Sequence, residues 1–169
     1  MLQVGKSGSA GVGRGVLPFL RDGAVVATVR ASQWKEAATA VIDDREWVFA
    51  KSRGTLVARW AADPEGTSRL SARQSSFWRC TWEAELDGTP VEVRSLSRWR
   101  STRGYLVDGR EIARSGNTGG WSPRPTLTAE ASLPLHQQVF LLWLELVISR
   151  RDQAALAGAT AAAVIGGSS

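Results

Sequence analysis

A single histidine, His136, and a single cysteine, Cys80, bound the side-chain chemistry open to this chain of 169 residues. A serine or cysteine hydrolase needs a nucleophile beside a histidine base, and a multi-histidine metal site needs several imidazoles. His136 sits near the start of a helix-like run, where a surface position is expected. Neither a metal nor a cofactor is expected. Cys80 follows Arg79 in a strand-like run beside Trp78 and Trp82 and reads as a buried, inert thiol. Glu83 and Glu85 are paired carboxylates, but at alternate positions of an outward strand face they form a solvated pair and not an acid/base cleft.

Two glycine patterns near the N-terminus imitate nucleotide loops. Gly5-Lys6-Ser7 lacks the glycine five residues earlier and the preceding strand that a phosphate-binding loop requires. Gly11 and Gly13 are followed by Val16 where a dinucleotide fingerprint needs a third small residue. No catalytic residue is expected, and the chain reads as a non-enzyme.

Charge is the stronger functional signal. The formal net charge is +5, and residues 94–124 alone hold seven arginines against Asp108 and Glu111. A local field of that sign favours anionic partners. Arg94, Arg98, Arg100 and Arg103 form the candidate anion or lipid site, with Trp99, Tyr105 or Trp121 anchoring nearby. The plainer alternative is an outer wall kept soluble by charge and partly paired with Glu92 or Glu83. Eight tryptophans could stack bases or sugars, but several fall at inward positions of strand-like runs, where a ring fills the interior. The inward placement expected of Trp99 argues against nucleic acid.

The elements that must position these residues are short. The chain length suits one domain, and a hydrophobic fraction of 43% argues for a packed core rather than a disordered chain. Residues 1–15, with five glycines, read as a flexible arm. From Val16 to Ala131, β-favouring runs alternate with turn signals about every ten residues, including Asp22-Gly23, Asp87-Gly88, Asp108-Gly109 and Gly116 to Gly120. Strands are read at residues 47–50, 56–60, 77–86, 105–107 and 127–131. A two-residue Asp87-Gly88 loop pairs Leu86 with Thr89, Ala84 with Val91 and Trp82 with Val93, leaving Glu83, Glu85, Glu92 and Arg94 outside. Continued past Val93, this alternation puts Arg94, Arg98 and Arg100 outward, with Leu96 as an exception.

At Leu133 the period changes. Ser132 can cap a helix and Pro134 suits its first turn. Residues 139–148 are apolar around almost the whole circumference except Glu145, so a helix over 134–150 must be buried. Gln138, Glu145 and Ser149 share one side of it. Residues 152–169 read as a frayed or disordered Ala/Gly-rich tail. The expected fold is mainly β: a closed antiparallel barrel of about 12 strands around a central apolar helix.

That pattern resembles the tubby C-terminal-like superfamily, which includes the LURP-one-related proteins and the phospholipid scramblases. The block Leu133-Pro134-Leu135-His136-Gln137-Gln138-Val139-Phe140-Leu141-Leu142-Trp143-Leu144 resembles the start of the central helix in bacterial members. Residues 103–110 are similar to a β-turn unit of the same barrel. The resemblance covers residues 16–150 and implies a twelve-stranded barrel around a hydrophobic C-terminal helix. It also implies anionic-headgroup binding, as in the tubby branch. The calcium-binding acidic segment and proline-rich arm of scramblases are not identifiable, so scrambling is not implied.

The functional expectation is therefore a non-catalytic module that binds an anionic lipid headgroup or another acidic partner through the wall around Arg94 to Arg103. Two alternatives stand beside it: a small apolar ligand in an internal cavity if the helix packs outside the barrel, and a protein-interaction domain without a small ligand. A single cysteine and no secretory-type leader suggest a cytoplasmic protein, soluble or peripheral at a membrane. The apolar run around residues 139–148 is too short for a transmembrane helix.

Overall fold

The computed structural model describes residues 1–32, 36–76, 81–97, 102–119 and 123–165, with side chains as far as Ala155. Its strands are β1 (Leu2–Val4), β2 (Leu17–Arg21), β3 (Ala24–Ala31), β4 (Ala38–Ile42), β5 (Arg45–Ser52) and β6 (Thr55–Trp60). They continue with β7 (Leu70–Ser76), β8 (Thr81–Leu86), β9 (Thr89–Ser97), β10 (Thr102–Val107), β11 (Arg110–Asn117) and β12 (Pro125–Ala129). The helix α1 (Leu135–Ile165) ends the described chain. Each strand pairs antiparallel with its sequence neighbours, and β1 joins β2 to β12, so the sheet closes into a barrel.

Tight turns set the register. Asp22-Gly23, Asp87-Gly88 and Asp108-Gly109 all have positive φ at both residues, as a primed two-residue hairpin requires. The pairs Leu86–Thr89, Ala84–Val91 and Trp82–Val93 form as expected across the β8–β9 hairpin. Asp43 and Asp44 also take positive φ and close β4 onto β5 without a glycine. Asx side chains tolerate this conformation.

Three sequence expectations need correction. Residues 1–15 are not all a flexible arm: Leu2 and Val4 are buried and pair with Leu127 and Phe19 on the two flanking strands. Five glycines obscure a three-residue strand with two buried apolar side chains, which removes the open edges that β2 and β12 would otherwise present. Residues 5–16 then form hydrogen-bonded turns, with Gly5 N–H donating to Pro18 O at 2.7 Å and Gly8 N–H to Val16 O at 3.0 Å. A Cβ at Gly5 would lie 2.6 Å from Pro18 Cγ, which explains glycine there. Second, the helix does not stop at Arg150 but runs on to Ile165. Third, Gly116 is not in a turn but continues β11, where it pairs with Thr126.

Because α1 follows the last strand, it threads the closed barrel. Val139 to Leu144 are each at most 2% exposed and meet the inward faces of the strands. Phe140 and Trp143 pack against Phe49, with ring centroids 6.0 and 5.0 Å away. Burial of each such side chain contributes about 1.5–3 kcal/mol, an upper bound because a real unfolded chain is not fully extended. Apolarity around the whole helix is therefore what a barrel interior demands. Trp47 and Trp82 join this core as expected, while Trp60 is half-buried. Trp34, Trp78, Trp99, Trp121 and Cys80 lie outside the described residues.

Candidate functional site

The polar residues of α1 decide how the helix sits in the barrel. Gln138, Glu145 and Asp152 recur every seven residues and lie along one side. Arg21 on β2 donates to Gln138 Oε1 at 2.8 Å. Glu145, only 4% exposed, is met by two β10 residues: Arg103 Nη1 donates to its Oε2 at 2.6 Å, and Tyr105 Oη to its Oε1 at 2.5 Å. Arg103 also approaches Asp152 at 3.5 Å. The desolvated carboxylate thus has an ion pair and a hydroxyl donor, which is what a buried charge requires. Burial, and then the Glu145 charge, push the Tyr105 phenol well above its ordinary pKa and keep it a donor.

Each end of α1 is also tied to the barrel. At its start, the His136 ring stacks on Trp47 at 5.0 Å, and His136 Nε2 and Gln137 Nε2 meet Asp87 Oδ2 at 2.8 and 2.7 Å. His136 is therefore less a free surface residue than a latch. Burial works to raise the Asp87 pKa, but the Gln137 and His136 contacts outweigh it and leave it lowered. At the far rim Arg151 lies over the Trp82 ring and holds Glu36, its Nη2 to Oε2 distance being 2.7 Å. Lys51 reaches the same carboxylate at 2.9 Å. The Arg151 hydrogen bond is the main reason that the Glu36 pKa falls to about 2.

Of the four arginines of the expected wall site, the two described ones, Arg94 and Arg103, do not share a face. Arg103 and Tyr105 are not on the outer wall at all: both point inward to Glu145. Arg103 and Tyr105 have the same parity as inward Val93, which Tyr105 faces across the β9–β10 pair, so the alternation that puts Arg94 outward turns both of them inward. Arg94 is outward, but its guanidinium is engaged by Glu92 at 3.0 Å. Arg98 and Arg100 lie outside the described residues. Leu96 keeps step with Arg94 and faces outward over Gly104. The wall beside Arg94 is acidic rather than basic: an open cavity of about 640 Å³ is lined there by Glu83, Glu85, Glu92 and Asp108, with Arg73 as its cation.

Charge is instead divided between the ends of the barrel. At one end lie the linkers 22–23, 43–44, 61–69, 87–88, 108–109 and 130–134. They carry Asp22, Asp43, Asp44, Asp63, Glu65, Asp87, Asp108 and Glu130 against Arg69, a net charge of −7. The remaining linkers meet at the other end, where α1 leaves the barrel. Their described residues carry Lys6, Arg14, Arg53 and Arg124 against Glu36, net +3, and Arg150 is exposed as the helix departs. Arg150 and Arg151 mark this exit and not the end of the helix. Lys35, Arg79, Arg98 and Arg100 belong by sequence to these same linkers but are not among the described residues.

Compared with protein-family models, curated proteins and solved structures, the chain matches none. Among the described residues no group of three or more His, Cys, Asp or Glu side chains could hold a metal ion, and no helix is long and apolar enough to cross a membrane. Because α1 runs through the barrel, the condition set for an internal ligand cavity, a helix packed outside, is not met. What the arrangement can do chemically is orient: one end attracts anions while the other repels them.

Proposed function

We propose that this chain is a non-catalytic binding module, tubby-like in architecture, that takes an anionic partner at the basic end of its barrel. The partner chemistry is that of phosphate headgroups, as at the cytoplasmic face of a membrane, where the leaflet is anionic. The observation that carries this reading is the opposite charge of the two barrel ends, with the basic one surrounding the exit of α1. A field divided in this way orients the molecule before contact, and its effect weakens as salt screens it. The outer wall near Arg94, lined by carboxylates, offers no comparable attraction.

The test is sedimentation with phosphatidylcholine vesicles containing phosphatidylserine, at low salt. Each basic side chain near such a surface contributes about 1 kcal/mol, so Arg53→Glu with Arg124→Glu should lower partitioning at least about tenfold. Arg94→Glu should leave it unchanged. Equal binding by all three proteins, or loss only in Arg94→Glu, rejects the basic end as the site.

A further inference from the structure

Beyond the barrel, α1 continues for about four turns after Arg150. Gln153, Ala154 and Ala155 are exposed, and the sequence from Ala154 to Ile165 contains no charged residue. Such a helix, free in water, would expose apolar groups without a polar face to compensate. It leaves through the basic end, beside exposed Arg150 and among linkers bearing Arg53 and Arg124. We infer that the bound partner is an anionic bilayer and that the helical extension 153–165 enters its interface while the basic rim meets the headgroups. This rests on the proposed binding at the basic end and names the partner's physical form.

The combination distinguishes a bilayer from a soluble polyanion. A free phosphate or nucleic acid would satisfy the rim but leave the extension in water; a bilayer presents negative charge and, a few ångströms deeper, a medium suited to uncharged side chains. Thirteen helical residues span roughly 20 Å, well short of the ~30 Å hydrocarbon core, so the extension anchors in one leaflet without crossing. Alanine contributes little apolar area per residue, so neither the rim nor the extension suffices by itself. Two weak signals acting together are the usual basis of stable peripheral attachment.

The full-length protein, a truncation after Gln153 and the variant Leu156→Asn with Val164→Asn are compared on two probes. One is phosphatidylserine-containing vesicles and the other is immobilised heparin, a soluble-type polyanion. A dye at Val164→Cys, in protein also carrying Cys80→Ala, reports local polarity. The expected result is at least about a tenfold loss of vesicle partitioning in both altered proteins, with heparin retention unchanged. The dye emission should shift to the blue on vesicles and not with heparin. Undiminished vesicle binding after truncation, or no dye shift on vesicles, overturns the inference and makes a soluble polyanion the partner. Failure of the full-length protein to bind either probe overturns the basic-end reading itself.

Discussion

At the residue scale the molecule is organised around Glu145. A carboxylate within an otherwise apolar buried helix is tolerable only because Arg103 and Tyr105 meet both of its oxygens. Removing one partner from a buried pair costs about 3–5 kcal/mol, whereas replacing the pair with apolar groups can be nearly neutral. Arg103→Met and Glu145→Leu should each be strongly destabilising, and the double variant should lose clearly less than the sum of the two. Urea unfolding of the four proteins in a cycle measures this coupling, and simple additivity would show that the contact contributes nothing. Glu145 stands out in the sequence as the one charge in the apolar run. Its partners were legible too: counting in twos from inward Val93 reaches Arg103 and Tyr105, an inward placement that was lost by grouping Arg103 with the outward arginines by charge.

At the scale of elements, the exit of α1 is held by Glu36, and its acidity gives that contact a pH signature. The Glu36 pKa is lowered from 4.5 to about 2, chiefly by the Arg151 hydrogen bond, so the folded state prefers the ionised form. Its stabilisation is fully present above about pH 4.5 and is lost as pH falls through about 2. Because the side chain keeps a quarter of its exposure, the contribution is of the order of 2 kcal/mol after allowance for solvent. Urea midpoints of the native protein should fall more steeply over this interval than those of Glu36→Gln, and parallel curves would contradict the assignment. The barrel strands and plug helix were readable because alternation, Asp-Gly turns and an all-round apolar helix are local signals. The closing strand β1 was not, since three residues carry too little pattern to stand out among glycines. The continuation of α1 was hidden for a similar reason: alanine and glycine suit both a helix and a loose tail.

At the scale of the whole molecule, the arginine excess that marks the sequence is less informative than its placement. Arg94 and Arg103 lie nine residues apart in the chain's basic segment, yet one is on an acidic outer wall and the other inside the barrel. The charge division emerges only when antiparallel connectivity gathers alternate linkers at the same end, a property of topology that no single linker displays. In the proposed binding mode the basic end faces the anionic partner. Hydrogen exchange of the protein on phosphatidylserine-containing vesicles tests it most directly. Exchange should slow in residues 5–16 and 153–165, with the hairpins at Asp22, Asp87 and Asp108 unchanged. Protection confined to those hairpins, or to the β8–β9 wall around Arg94, would contradict it.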